Sequence, residues 1–319
     1  MDGRERSTQS YTARVVNAMK HACEEVRVRP APLPNYLLEI VNTPLPRQPR
    51  ALLFDIYGTL LSSSSGEVGS VATRATSDHF VRAWQAADLG PLDTATADRL
   101  RAGFFAAIRD EHARLRCIED TVHLYPYPEV DIRHIWKRLV SEVFAIGGEI
   151  SDAQLELLAA CYEAGVNPVS PIPDARWAIE TLSSFLTLGV VSNAQFYTRH
   201  LFPACIGLSL EGLGFDPDAC ALSYEHLRAK PDPLLFSGPL AYLQECGIDS
   251  KEVLYVGNDM RNDVAAATNA GCMTALFAGD ERSLRIREDD PMTREVVPST
   301  VVRSLRALVG LVTPEKESS

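Results

Sequence analysis

The sequence predicts an α/β protein: a doubly wound parallel sheet, an α-helical bundle inserted after its first strand, and an N-terminal extension. Three observations carry this. Short apolar runs alternate with helical patterns after residue 170, as in parallel sheets crossed by helices. Residues 74–165 read almost wholly as amphipathic helix. The 319 residues exceed what one α/β domain needs, so a segment must be inserted or appended.

Residues 1–48 read as the appendage. Val15, Val16, Ala18, Met19, Ala22 and Cys23 recur at helical spacing, and Arg29-Pro30-Ala31-Pro32-Leu33-Pro34 then breaks regular structure. A second apolar segment, Tyr36 to Val41, stops before Pro44 and Pro46, and packing on the main domain is the plainer expectation. Ala51-Leu52-Leu53-Phe54 is an apolar run of the buried parallel kind, feeding Asp55-Ile56-Tyr57-Gly58-Thr59. Ser62 to Ser70 reads as a flexible hinge. Four helical stripes follow, carried by Phe80/Val81/Trp84, Leu100/Phe104/Phe105/Ile108, Ile135/Leu139/Val140/Val143 and Leu155/Leu157/Leu158/Cys161. Pro168, Pro171 and Pro173 mark the return to the sheet. Strands are expected at 188–192, 253–256 and 274–277, with helices at 177–182, 234–245 and 264–270. The division is therefore 1–48 extension, 49–64 and 171–319 core, and 65–170 helical cap.

Composition narrows the function. The formal charge is −11, which disfavours nucleic acid and anionic membrane as partners. The uncharged stretch Thr181–Thr198 reads as helix, turn, buried strand and loop, broken by Ser183, Ser184, Ser192, Asn193 and Gln195, and not as a membrane span. The seven cysteines are scattered without metal spacing, which argues against a disulfide framework or zinc site and suggests small buried apolar residues. A polar N-terminus without an apolar signal core makes a cytoplasmic protein the expectation.

Four short signals fall at strand ends: Asp55-Ile56-Tyr57-Gly58-Thr59, Ser192-Asn193, Lys230-Pro231, and Gly257-Asn258-Asp259-Met260-Arg261-Asn262-Asp263. Ligands of open α/β sheets bind beyond the carboxyl ends of strands, so the four can converge on one site. Each also has a plain structural explanation: a turn or helix cap for Asp55, an ordinary turn for Ser192-Asn193, a solvated lysine for Lys230, and a dipole-stabilised helix start for Asp263.

In this order the motifs resemble those of the haloacid dehalogenase-like hydrolases, over roughly residues 49–64 and 171–280, with the cap inserted after the first motif. The resemblance implies a Rossmann-like core and a small-molecule substrate. It makes Asp55 the nucleophile, forming an aspartyl-phosphate, with Lys230 as a fixed cation and Thr59, Ser192 and Asn193 around the substrate. It implies Mg²⁺ held by Asp55, the Tyr57 carbonyl and Asp259, with Asp263 supporting the metal or Lys230; the divalent cation would neutralise this acid cluster.

One departure matters. Phosphatases of this family carry a second aspartate, the leaving-group acid and later base, where this chain has Tyr57, and a phenol of pKa about 10 is a poor base at neutral pH. The D-x-Y-G-T pattern is that of L-2-haloacid dehalogenases, which need neither that acid nor a metal. The acidic fourth motif points instead to a metal-dependent phosphohydrolase. A cap arginine of the dehalogenase kind is poorly matched by Arg82, which reads as a surface residue. The leading expectation is thus a Mg²⁺-dependent phosphohydrolase; the alternatives are a metal-independent 2-haloacid dehalogenase and a degenerate, non-catalytic binding module. His112, His123 and the loop Leu124-Tyr125-Pro126-Tyr127-Pro128-Glu129-Val130-Asp131-Ile132-Arg133-His134 are candidates for substrate recognition or for the missing acid. The substrate and the oligomeric state carry no signal in the sequence.

Overall fold

The computed structural model describes residues 2–23, 28–63, 75–117, 125–143 and 150–314, residues 2–10 and 143 by backbone alone. Helices α1 (Asp2–Lys20) and α2 (Asn35–Leu38) precede strand β1 (Ala51–Phe54) and strand β2 (Leu61–Ser63). Helices α3 (Ser77–Ala86), α4 (Thr94–Arg116), α5 (Ile132–Val143) and α6 (Asp152–Val166) lie between β2 and its antiparallel partner β3 (Val169–Pro171). Then come α7 (Ala175–Leu182), β4 (Thr187–Ser192), α8 (Thr198–Cys205), β5 (Phe215–Leu222), α9 (Ser223–His226), α10 (Leu234–Glu245), β6 (Val253–Gly257), a π-helical turn (Met260–Ala265), α11 (Ala266–Asn269), β7 (Met273–Phe277), β8 (Thr300–Val302) and α12 (Leu305–Val312).

The six-stranded parallel sheet has the order β5-β4-β1-β6-β7-β8. β1 is central because all four of its residues are apolar and fully buried, which suits a strand covered on both faces. Phe54 lies level with Val190 of β4 and Val256 of β6, so the chain leaves all three strands on the same edge of the sheet. That edge carries the site.

The helical insertion packs around an aromatic cluster. Phe80, Phe104, Trp136 and Tyr162, one from each of α3–α6, have ring centroids 4.6–5.9 Å apart. Capping fixes two of the helix starts: Asp93 accepts from the Thr96 amide, and Ser151 from the Gln154 amide. The arm also packs: Val15, Met19 and Ala22 are buried, and α1 lies against both α6 and α8.

Two expectations need correction. Ser62 and Ser63 are not hinge residues; they are buried and paired with Ser170 and Val169 in the β2–β3 ladder, because the apolar Leu61 continues into a strand. Ser64–Ser70, the rest of that segment, lies outside the described residues. The cysteines are not uniformly buried and reduced. Cys23 and Cys205 form a disulfide with Cα atoms 5.6 Å apart, while Cys117 and Cys246 are exposed. A separation of 182 residues hides such a pair from any reading of local spacing. Among the described residues no helix is long and apolar enough to cross a membrane.

Candidate active site

Asp55 follows the last residue of β1, and its amide still donates to the Val256 carbonyl at 2.9 Å, which fixes where its side chain begins. The chain then turns sharply. Gly58 takes φ +90°, and a Cβ there would lie 2.6 Å from both the Asn258 side chain and Ser283, so glycine alone lets the first and fourth motifs meet. One carboxylate oxygen of Asp55 accepts from Ser192 Oγ at 2.8 Å and from Lys230 Nζ at 2.7 Å. The same ammonium donates to Asp263 at 2.5 Å and to the Tyr255 hydroxyl at 2.9 Å. Burial disfavours charge on Lys230, but the Asp263 and Asp55 carboxylates outweigh it and hold the ammonium above its usual range. The other oxygen of Asp263 accepts from the Asn258 and Asp259 amides, both at 2.9 Å. Asp263 is thus a positioning group for Lys230 and for the fourth-motif turn, with both oxygens engaged.

Asp259 is engaged even more fully. Arg287 grips both of its oxygens, Nε at 2.8 and 3.0 Å and Nη2 at 2.7 Å. The Arg261 and Asn262 amides add 2.9 and 3.0 Å bonds, and Asn262 Nδ2 a 3.2 Å bond. The oxygens expected to hold Mg²⁺ therefore do not form an open ligand set. Among the described residues no group of three or more His, Cys, Asp or Glu is placed to hold a metal ion. As arranged, the donors do not fit the metal that the acidic motif implied. A direct consequence is testable: Arg287→Ala removes the competing cation from both Asp259 oxygens, leaving only the Arg261 and Asn262 donors, and calorimetry should then show Mg²⁺ binding at least about tenfold tighter than in the parent protein, since about 1.4 kcal/mol of competition is removed. Equal affinity in the two proteins would contradict the clamp.

Tyr57 is half-buried, and its hydroxyl lies 3.0 Å from Thr198 Oγ1. Burial first, and the Glu163 carboxylate second, push its phenol above the ordinary range, so it is no general base at neutral pH. Thr59 is fully buried behind the site and donates to Asn258 Oδ1 at 3.2 Å. Ser192 is also fully buried and meets Asp55 from behind. Asn193 accepts from the Lys230 amide at 2.7 Å and lines the cavity.

That cavity, about 240 Å³, is bounded by Asp55, Tyr57, Ser63, Asn193, Lys230, Asn258, Asp259, Asn262, Asp263, Arg285 and Arg287. Three carboxylates and three cationic side chains line it. Two of those cations, Arg285 and Arg287, escaped sequence reasoning. Residues 282–287 run beside the fourth motif, with the Arg285 amide on Asn258 O and the Met260 amide on Arg285 O. Arg285 forms a β-bridge with Asp259, and Arg287 follows two residues on at φ +54°, so both arginines line the cavity; Arg-x-Arg after a core strand was the available signal.

A second cavity, about 460 Å³, lies between α4–α6 and the strand-end loops, and Asn193 lines both. It is walled by Phe104, Phe105, Ile108, Val130, Ile132, Trp136, Ala159, Tyr162 and Tyr197, with His112, Glu129, Glu163, Asn167 and Gln195 among them. The Tyr/Pro loop thus has both uses weighed for it. It packs on the segment before Lys230, through Ala229 N to Tyr127 O at 2.8 Å and Glu129 N to Leu227 O at 3.0 Å, and it supplies Pro128, Glu129, Val130 and Ile132 to the cavity. His123 and Leu124 lie outside the described residues. Arg82 is exposed and paired with Asp78 at 2.7 Å, away from both cavities.

Burial raises the Glu129 carboxyl to about 7, against hydrogen bonds from the Val130 amide and Ser223 Oγ. Its folded value lies above its unfolded one, so the folded state binds more protons between the two, and stability falls as pH rises through that window. Glu129→Gln should therefore raise the melting temperature at pH 8 (about 3 kcal/mol in the limit), with the gain vanishing towards pH 4. A pH-independent difference would contradict this.

A parallel sheet with a lysine-bound aspartate at the end of its central strand, and a helical insertion after that strand, define an α/β hydrolase. The family model described as haloacid dehalogenase-like hydrolase matches residues 49–271, and the chain belongs to that family. Among curated proteins it is 30% identical over 160 residues to ribulose-1,5-bisphosphate 5-phosphatase of Halopiger xanaduensis, covering 50% of this chain and 63% of that protein. It is 33% identical over 123 residues to phosphoglycolate phosphatase of Haemophilus influenzae, covering 37% of this chain and 50% of that one. The matches thus span about half to under two thirds of these relatives. Among solved structures, 2-haloacid dehalogenase from Pseudomonas syringae pv. Tomato DC3000 aligns with TM-score 0.51 at 19% identity, over 82% of this chain and 97% of that one, a likeness of fold.

Proposed function

We propose that the protein is a phosphomonoester hydrolase that works through an aspartyl-phosphate on Asp55. The observation that carries this is the Asp55–Lys230–Asp263 arrangement at the end of β1, in a cavity where Arg285 and Arg287 balance the remaining acids. Ser192 and Lys230 hold one Asp55 oxygen, which leaves the other to attack phosphorus. Lys230 offsets the charge that builds on the equatorial oxygens, and Asn193 donates at the cavity wall. The kinship with two phosphatases supports phosphorus over carbon as the centre attacked. Magnesium enters no step, because Asp259 and Asp263 keep no oxygen for it in this arrangement.

One pair of observations favours a second reading, metal-independent 2-haloacid dehalogenation: Tyr57 in place of the acid/base aspartate, and the Arg287 clamp in place of a metal. An assay separates them. Phosphate release from a panel of monoesters, within about twofold with or without chelator and lost in Asp55→Asn, supports the first. Chloride release from chloropropionate without phosphate release supports the second. Turnover of neither leaves the hydrolase reading refuted for these substrates and favours a binding module.

A further inference from the structure

We propose that the apolar cavity beneath α4–α6 is the leaving-group subsite for an aryl phosphate monoester. The inference rests on the phosphohydrolase reading above and adds the substrate class.

The first support is shape and lining. At about 460 Å³ the cavity is much larger than the roughly 150 Å³ apolar void that admits benzene. The Phe104, Trp136 and Tyr162 rings with Val130 and Ile132 offer faces and edges for an aromatic guest. Asn193 lines both this cavity and that of Asp55, and the proposal places the phosphate of one molecule at Asp55 and its ring among α4–α6.

The second support is two orphaned polar atoms. Among the described residues, Tyr162 Oη and His112 Nε2 are buried without a hydrogen-bond partner, and both residues line this cavity. Tyr162 is 3% exposed. A buried group left unpaired is destabilising, so a polar substituent on the guest's ring that reaches either atom recovers part of that cost. The guest's ring system is uncharged. Among the lining residues the one permanent cation, Arg109, is exposed. Burial also lowers the His112 imidazole and raises the Glu163 carboxyl, favouring the neutral form of each.

The third support is chemical. With Tyr57 in the acid's place, the leaving oxygen departs without a proton from that position. A phenol-like oxygen, pKa about 10, leaves as an anion far more readily than one of pKa near that of water, about 15.7. The Asp55 oxygen forms a bond to phosphorus as the phosphorus–aryl oxygen bond breaks, and the electron pair leaves on the aryloxide, which takes its proton from solvent. Water then attacks phosphorus, the bond to Asp55 breaks, and inorganic phosphate and free Asp55 result.

Two measurements on the full chain test this. Naphthol, the dephosphorylated product of naphthyl phosphate, is titrated calorimetrically into the parent protein, Tyr162→Phe and Ala159→Phe, each checked for a normal melting temperature. The expected result is one binding site, weakened about tenfold in Tyr162→Phe, as for loss of one hydrogen bond, and at least about thirtyfold in Ala159→Phe, which fills the cavity. Turnover of naphthyl phosphate should exceed that of phosphoglycolate, with rates falling steeply as the leaving group's pKa rises across substituted phenyl phosphates. No naphthol binding alongside hydrolysis of phosphoglycolate overturns the subsite and leaves the phosphohydrolase standing. Naphthol binding with no Asp55-dependent phosphate release from any ester overturns the phosphohydrolase reading, and the assignment of aryl phosphates with it. Should Ala159→Phe not fold, Tyr162→Phe and the leaving-group series decide.

Discussion

Asp55→Asn is expected to lower turnover by at least about 10⁴-fold while leaving the fold intact, the scale seen when a covalent nucleophile is removed. The amide is nearly the shape of the carboxylate. Its oxygen can still accept from Ser192 and Lys230, the two partners of the oxygen it replaces. Lys230 keeps Asp263 as its counter-charge, so no buried cation is abandoned. What is lost is the anionic oxygen that attacks. Phosphate release and a thermal melt on the same preparation check both halves. Near-parental turnover would remove Asp55 from the chemistry, and a collapsed fold would make the variant uninformative about it.

Lys230→Met carries the second large effect, and it falls on stability as well as rate. The ammonium is almost fully buried between Asp55 and Asp263. Removing one member of a buried ion cluster leaves uncompensated charge, at a cost of about 3–5 kcal/mol. Loss of a preorganised cation at the developing phosphoryl charge lowers turnover by a further 10²–10³-fold or so. The double variant Lys230→Met, Asp263→Asn separates the two. It should recover much of the melting temperature, because the second abandoned charge is gone, yet recover no activity. Recovery of both would make Lys230 a structural counter-ion only.

The parts of the site that were legible in the sequence are those tied to strand ends. Asp55, Ser192, Asn193, Lys230, Asp259 and Asp263 each follow an apolar run or a short motif, and the parallel register brings five of these six to one cavity, with Ser192 just behind it. Strand β5 was missed because Asp216, Pro217 and Asp218 interrupt its apolar pattern, which a strand at the sheet's edge tolerates. The short strand β8 follows a long irregular segment and had no periodicity to reveal it. Partners were less legible than the residues themselves. The carboxylates of Asp259 and Asp263 were visible, and Mg²⁺ is what the family resemblance implied for them, in keeping with hard oxygen donors. The meeting of Lys230 with Asp263, 33 positions away, was one of the two roles the resemblance implied, whereas only three dimensions show Arg287, 28 positions from Asp259, meeting that residue. The second cavity is built from α4, α5, α6 and distant loops, and no local pattern announces walls of that kind.

These partners change how the acidity of the site reads. An acid cluster expected to await a divalent cation is, in the folded protein, paired with Lys230 and Arg287, with Arg285 in the same walls. The fold places Asp55, Lys230 and a second, largely apolar cavity at the same end of the sheet, and the chemistry proposed uses only those.

The most direct test is rapid-quench mass spectrometry of the peptide containing Asp55 during turnover of naphthyl phosphate. The account predicts a transient adduct one phosphoryl group heavier, on Asp55, formed and discharged at rates that match steady-state turnover and absent in Asp55→Asn. Steady phosphate release with that peptide unmodified at every quench time would contradict it.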